Sequence, residues 1–469
     1  MKKTKIICSI GPASCPVEVM TKMVEVGMNV ARINFSHATL EERIAVVKSV
    51  KEVREITGKN IAILYDTKGP EFRNGMVKNG EITLTEGKTI RVVKENILGD
   101  EQRFSVNHPQ AIDSLEVGSV ILLENGLMKI EVISKEEDGV TCKIISGGIL
   151  GNKKSLNVPG AHLDIPFISE QDKEDIIYAC QHEGDFIALS FVSTKEDVLA
   201  AKEILKKFNR EDMKIISKIE STTGVDNLDS IIEESDGIMV ARGDLGVEVP
   251  MEQLPIFQKM IIEKCREYGK TVIVATEMLE SMKKNVRPTR AEVSDVANAV
   301  LDGTDAVMLS GETTMGKFPV DVVRFMADIC ENTEKYYDYD YVFENKRKQD
   351  TTEAIAESVV SCSESLETKA IVTCTMSGYS ANKISNLKPK NIIIATCPTT
   401  NVVRSLALSW GVYPVLVTPY KTTDEIIATA KDKACEMLNL KDGDNIIITG
   451  GFHLQNNEKT TNFLKIEQI

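Results

Sequence analysis

Eight short apolar runs before residue 315, each ending in polar residues, constrain the fold more than any other feature of this 469-residue chain. They are KIICSIG (5–11), NVARINFSH (29–37), IAILYDTKG (61–69), FIALSFVS (186–193), KIISKIES (214–221), GIMVARGD (237–244), TVIVATEM (271–278) and AVMLSGE (306–312). Near-continuous apolar strands are those buried on both faces, as in a parallel sheet. Helix-like stretches at 16–27, 38–57, 170–183, 195–209 and 252–268 lie between most of them. Eight strand–helix units close most naturally into a (β/α)8 TIM barrel. The alternative, an open doubly wound sheet, would be better matched by a G-x-G-x-x-G turn after the first strand, and none is there.

The third and fourth runs are separated by over a hundred residues, too many for a structureless loop. The segment carries its own pattern: GEITLTEGKTIRVV, GSVILLENGLMKIEVI and GVTCKIISGG are β-rich and punctuated by glycine. Residues 70–163 are therefore expected to form an inserted small all-β domain, with the capping-box pair Ser169-x-x-Asp172 starting the helix that returns to the barrel. The barrel then comprises 1–69 and 164–343. After the charged stretch ENKRKQD the pattern resets, and 344–469 alternates helices (352–367, 379–387, 400–408, 423–437) with strands (AIVTCT, NIIIAT, VYPVLV, NIIITGG), an open α/β domain.

Composition narrows the function. Lysine and arginine number 56 against 70 aspartates and glutamates, a net charge of −14. That field repels nucleic acid, while a locally basic cleft can still hold a small anion. Ten scattered cysteines without a C-x-x-C pair read as reduced thiols. No window approaches 18 apolar residues and MKKTKIICSIGPAS lacks the apolar core of a signal peptide, so a cytoplasmic protein without a membrane partner is expected. In that setting Arg242-Gly243-Asp244 is poorly explained as an adhesion tripeptide.

A barrel of this type places its active site at the C-terminal ends of the strands. Those ends offer Arg32, Asn34, Ser36 and His37; Asp66, Thr67 and Lys68, with Glu71 and Arg73 beyond; Lys218 and Glu220; Arg242, Gly243 and Asp244; Thr276 and Glu277; and Ser310 and Glu312. Glu220 and Asp244 are hard oxygen ligands from adjacent strands, suited to Mg²⁺ or Mn²⁺. Lys218 shares a strand face with Glu220. Gly243 permits close backbone approach to a substrate carboxylate. Arg32, Lys68, Arg73 and Lys218 supply the charge that grips phosphate. A metal with an Arg/Lys clamp and no activated serine or cysteine points to phosphoryl transfer or enolate chemistry. A metal-dependent aldolase on the same barrel, or a non-enzymatic regulator, are the competing functions.

The stretches KIISKIESTTGVDNLDSII and GIMVARGDLGVEVP resemble the pyruvate kinase family, as do ARINFSH, DTKGPEFRNG, LGNKKSLNVPGAHLDIP, ATEMLESM and RPTRAEVSDVANAVLDGTDAVMLSGET. The resemblance runs the whole chain in order. It implies phosphoryl transfer from phosphoenolpyruvate to ADP, with Glu220 and Asp244 holding Mg²⁺ (or Mn²⁺). Lys218 would stabilise the phosphoryl group in flight and the enolate. Gly243, Asp244 and Thr276 would contact substrate, with Thr276 helping to protonate enolpyruvate. Arg32 and Arg73 would hold phosphates, and Asn34, His37, Arg73 and Lys154 belong with the nucleotide. Asn34, Ser36, Asp66 and Thr67 match the family's K⁺ site, and Glu71 matches the members that require K⁺. The inserted domain would be a lid. Departures from the family pattern are Tyr65, Glu277, Thr314 and Met315. The extra C-terminal phosphohistidine-type domain of some bacterial relatives is not expected here.

The C-terminal domain resembles the family's effector-binding domain. Thr375, Ser377, Gly378 and Ser380, between a strand and a helix, are the candidate anion pocket for a phosphorylated effector. KTTN (459–462) is the segment expected to close over it, although GFHLQNNEKTTN lacks the family's effector-loop glycines. The resemblance also implies a homotetramer, with the capped helix that follows Thr289 near an interface.

Overall fold

The computed structural model describes residues 1–161, 163–339, 350–420, 422–451 and 461–469. Lys459 and Thr460 of the expected closing segment lie outside them. The eight expected runs form a closed parallel barrel whose strands follow one another in chain order: Lys5–Ser9, Val30–Asn34, Ala62–Asp66, Phe186–Leu189, Lys214–Ile219, Gly237–Ala241, Thr271–Ala275 and Ala306–Leu309. Ile7 pairs with Met308 where the barrel closes.

Strand periodicity explains the packing. Alternate residues, among them Ile7, Leu64, Ile216, Met239, Ile273 and Met308, fill the barrel interior, and Ala407 and Leu408 of the C-terminal domain join this cluster. The intervening residues, such as Ile6, Ile63, Ile215 and Val240, face the surrounding helices. Lys218 and Glu220 continue the inward parity of Ile216, so their charged groups emerge where the interior layer ends.

Capping boxes begin several barrel helices, among them those capped by Thr39 with Glu42, Ser169 with Asp172 and Thr289 with Glu292. In each, the hydroxyl accepts from the third helical amide while the acidic side chain accepts from the cap amide. The insertion between the third and fourth strands is a six-stranded sheet and a two-stranded sheet around a separate core that includes Phe104, Ile121, Ile130 and Val140.

The C-terminal domain is a five-stranded sheet with apolar clusters on both faces. Its four expected strands are parallel. The sequence reading missed a fifth, Phe463–Gln468, which pairs antiparallel with Asn445–Gly450 at the edge. Half of its residues are polar or charged, so it lacks the apolar run by which the others were found. The N-terminal lysines tie the two α/β units together. Lys5 Nζ donates to the Val412 carbonyl at 2.5 Å, and Lys388 forms a buried ion pair with Asp305 at the start of the last barrel strand.

Candidate active site

A cleft of about 550 Å³ lies between the C-terminal ends of the barrel strands and the inserted domain. Arg32, Asn34, Ser36, His37, Thr67, Arg73, Lys154, Lys218, Glu220, Asp244 and Thr276 all line it. Asp66 sits directly beneath, buried, with its carboxylate shared between two cations. Arg32 Nε is 2.7 Å from Oδ2 and Lys218 Nζ is 3.3 Å from Oδ1. Lys218 Nζ also lies 2.9 Å from Glu220 Oε1. Burial alone would lower the Lys218 ammonium, but Asp66 and Glu220 hold it well above its ordinary value. Burial alone would raise the Asp66 carboxyl, and Arg32 and Lys218 bring it below the usual range.

Glu220 is 1 % exposed, which matters because a buried carboxylate needs partners for both oxygens. Oε2 accepts from the Phe191 amide at 2.7 Å. Oε1, despite the nearby lysine, accepts no hydrogen bond in good geometry among the described residues. Burial pushes this carboxyl up, Lys218 offsets the rise in part, and the neighbouring Asp244 adds to it. A buried carboxylate oxygen with an ion-pair neighbour but no well-aligned hydrogen bond, beside a second carboxylate in the same cleft, fits a divalent cation completed by water and substrate oxygens. The carbonyl, hydroxyl and carboxylate oxygens of Asn34, Ser36, Asp66 and Thr67, at the ends of the second and third strands, likewise fit a monovalent cation in donor type.

Two residues of this cluster were missed in the sequence. Ser190 follows the fourth strand, accepts from Lys218 Nζ at 2.6 Å and donates to the Thr67 carbonyl at 2.8 Å. Ser9 ends the first strand and accepts from Arg32 Nη1 at 2.7 Å. The strand-end rule that found the others would have found both had it been applied to the first and fourth strands.

Around the rim, Glu71 takes Arg73 in a two-pronged pair (2.8 and 2.7 Å) and Lys68 at 3.2 Å. Burial would raise its carboxyl, but these cations hold it below the usual carboxylate range. From the inserted domain, Lys154 pairs with Glu124. Asn157 Nδ2 donates to Glu248 at 3.1 Å, and the Gly160 amide donates to Thr222 Oγ1 at 3.2 Å, joining the inserted domain to the barrel. Glu277 is exposed and is not among the residues lining the cleft. Glu312 is buried and accepts from the Ser310 and Leu279 amides, a structural arrangement. Arg242 is buried and pairs with Asp295 at 2.7 Å. The Gly243 amide donates to Thr276 Oγ1 at 2.7 Å.

In the C-terminal domain, Gly378 (φ 84°) caps the helix Tyr379–Asn386 and its amide donates to Thr375 Oγ1 at 2.9 Å. Ser377 is exposed, while the Ser380 hydroxyl meets Thr461 Oγ1 at 2.5 Å.

Known proteins are similar to this chain along its length. The family model for the pyruvate kinase barrel domain matches residues 1–323, and that for the pyruvate kinase alpha/beta domain matches 353–467. A pyruvate kinase from Bacillus licheniformis is 45% identical over 471 residues, covering 99% of this chain and 80% of that protein. One from Clostridium acetobutylicum is 42% identical over 473 residues, covering 100% of both. The crystal structure of a pyruvate kinase from Cryptosporidium parvum superposes with a TM-score of 0.95 at 38% identity, covering 100% of this chain and 96% of that one. The chain belongs to the pyruvate kinase family of transferases.

Proposed function

We propose that the chain transfers the phosphoryl group of phosphoenolpyruvate to ADP, giving pyruvate and ATP, with Mg²⁺ (or Mn²⁺) and K⁺ as its cations. The observation that carries this reading is the buried Arg32–Asp66–Lys218–Glu220 cluster opening into the cleft beside Asp244 and Thr276. Glu220 and Asp244 would hold the divalent ion, and Asn34, Ser36, Asp66 and Thr67 the potassium. When bound, these ions supply fixed positive charge for the phosphoryl and enolate oxygens.

The protein's own residues do the rest. Asp66 and Ser190 fix the Lys218 ammonium, which donates to the phosphoryl group as it leaves the enol oxygen and to the enolate that remains. Arg32, braced by Asp66 and Ser9, holds phosphate oxygens. The Gly243 amide grips the substrate carboxylate once it exchanges Thr276 Oγ1 for it. The Thr276 hydroxyl helps deliver the proton that converts the enolate carbon into a methyl group. Asn34, His37, Arg73 and Lys154 hold the nucleotide phosphates. The lid, already bonded to the barrel through Asn157 and Gly160, excludes water so that ADP, not water, receives the phosphoryl group.

The Thr375–Ser380 loop takes a phosphorylated effector, a reading supported by hydroxyls and amides gathered at the start of a helix. Exposed Val293 and Leu301 on the helix Arg290–Leu301 support a subunit interface of a homotetramer there. Ten free cysteines suit the cytoplasm. Among the described residues no helix is long and apolar enough to cross a membrane.

The test is pyruvate formation from phosphoenolpyruvate and ADP, with Mg²⁺ and with or without K⁺, coupled to lactate dehydrogenase. Turnover requiring all four components is expected. Folded protein that stays inactive with and without a screen of sugar phosphates and nucleotides would overturn the reading.

A further inference from the structure

Thr276 and Glu277 both adopt the left-handed backbone region, at φ 70° and φ 53°. A β-branched residue there is an outlier that its surroundings must enforce. What enforces it comes from one neighbouring side chain. Arg242 Nη2 donates to the Thr276 carbonyl at 2.7 Å and to the Glu277 carbonyl at 3.3 Å, and Nε also reaches the Thr276 carbonyl at 3.3 Å. The other arm of the guanidinium is anchored by Asp295 on the helix Arg290–Leu301. Thr276 Oγ1 itself donates to the Ala275 carbonyl and accepts from the Gly243 amide, a bond the substrate carboxylate would take over, so the lasting hold on this backbone is that of Arg242.

We infer that Arg242 is a positioning residue for Thr276. Its planar fork holds two successive carbonyls of the strained pair and thereby aims the Thr276 hydroxyl into the cleft. The inference rests on the reading of Thr276 as the residue that helps deliver the proton. Asp295 extends it: by fixing the far end of the fork, it makes the aim of Thr276 depend on a helix that does not itself reach the substrate. A lysine at position 242 could not do the same work. One ammonium cannot span two carbonyls and a carboxylate as a rigid guanidinium does.

The proton step has its own readout. In D₂O with pyruvate, Mg²⁺ and K⁺, breaking a methyl C–H bond and reforming it as C–D follows proton movement without net phosphoryl transfer to ADP. Arg242→Lys is expected to lower both kcat and this exchange by roughly 10²-fold, the scale of an ångström-sized misplacement, while KM for phosphoenolpyruvate stays within about 2-fold. Asp295→Asn, which keeps one acceptor, is expected to show the same pattern with a smaller loss and retains a folded protein should Arg242→Lys not fold. A merely structural role would lower the unfolding midpoint and leave exchange per folded enzyme unchanged in both variants, and that result overturns the inference. Thr276→Val run alongside separates the two layers. If it exchanges at the wild-type rate, the reading of Thr276 fails and this inference with it. If it loses exchange while the Arg242 and Asp295 variants keep it, the inference alone fails.

Discussion

Arg32 and Asp66, diagonal to each other on the second and third barrel strands, form an ion pair buried to 8 % and 0 % exposure, with Nε 2.7 Å from Oδ2. The same carboxylate faces Lys218. One buried anion therefore faces two buried cations, and removing it leaves Arg32 without its charge partner and Lys218 with Glu220 alone. Asp66→Asn is expected to cost about 3–5 kcal/mol of stability, the range for breaking a buried pair. Urea unfolding followed by far-ultraviolet circular dichroism measures it. An unchanged midpoint would mean that solvent or ions, and not Asp66, balance these cations.

In the proposed reaction Lys218 acts on the transferring group and does not bind the substrate's carboxylate. Lys218→Met should lower kcat by about 10²–10³-fold, as does loss of a donor aimed at developing charge. KM for phosphoenolpyruvate should move by no more than a few-fold. Steady-state kinetics separate the two, and near wild-type turnover would remove Lys218 from the chemistry.

The barrel was legible because burial on both sheet faces writes itself as apolar runs, and polar residues ending most of these runs mark the cleft. That rule brought Arg32, Lys218, Glu220, Asp244 and Thr276 to one cavity. What it could not carry is side-chain pairing. Ser190 and Phe191 follow a strand like many rim residues. Only the folded register shows one holding Lys218 and the other offering an amide to Glu220. The left-handed backbone of Thr276 and Glu277 leaves no mark in the sequence, because neither residue type favours that region. The edge strand Phe463–Gln468 was hidden for the opposite reason. An edge strand needs little apolar content, and LKIEQ reads as a polar tail.

Glu71 bears on the proposed monovalent-cation requirement. Arg73 and Lys68 neutralise it and hold it ionised, so it lends no positive charge to the cleft. Replacing K⁺ by a bulky organic cation should lower the rate by roughly tenfold or more, equivalent to ~1.4 kcal/mol of transition-state stabilisation. Glu71→Lys should lessen that dependence by placing an ammonium nearby. Initial rates across a potassium titration for both proteins provide the check. A wild-type rate indifferent to K⁺ would exclude the site formed by Asn34, Ser36, Asp66 and Thr67.

Buried thiols subtract from stability at alkaline pH. Burial pushes the thiols of Cys142, Cys330 and Cys397 up to about 12, from an ordinary value of 9.0. The unfolded chain then loses these protons at a lower pH than the folded one. Stability from each thiol is therefore complete below about pH 9 and is lost as pH climbs toward 12, at up to ~1.4 kcal/mol per pH unit. The thiols' share of the unfolding free energy should fall between pH 9 and pH 11, against a rise from Lys3, Lys5 and Lys388, whose ammonium groups burial lowers to about 8, 7 and 8. Cys330→Ala should be less stable at pH 8, because it leaves a small cavity in the cluster around Met326. Its decline with pH should nevertheless be shallower by about one thiol's share. Parallel slopes for the two proteins in urea titrations at pH 8, 9, 10 and 11 would show that Cys330 ionises as readily when folded as when unfolded.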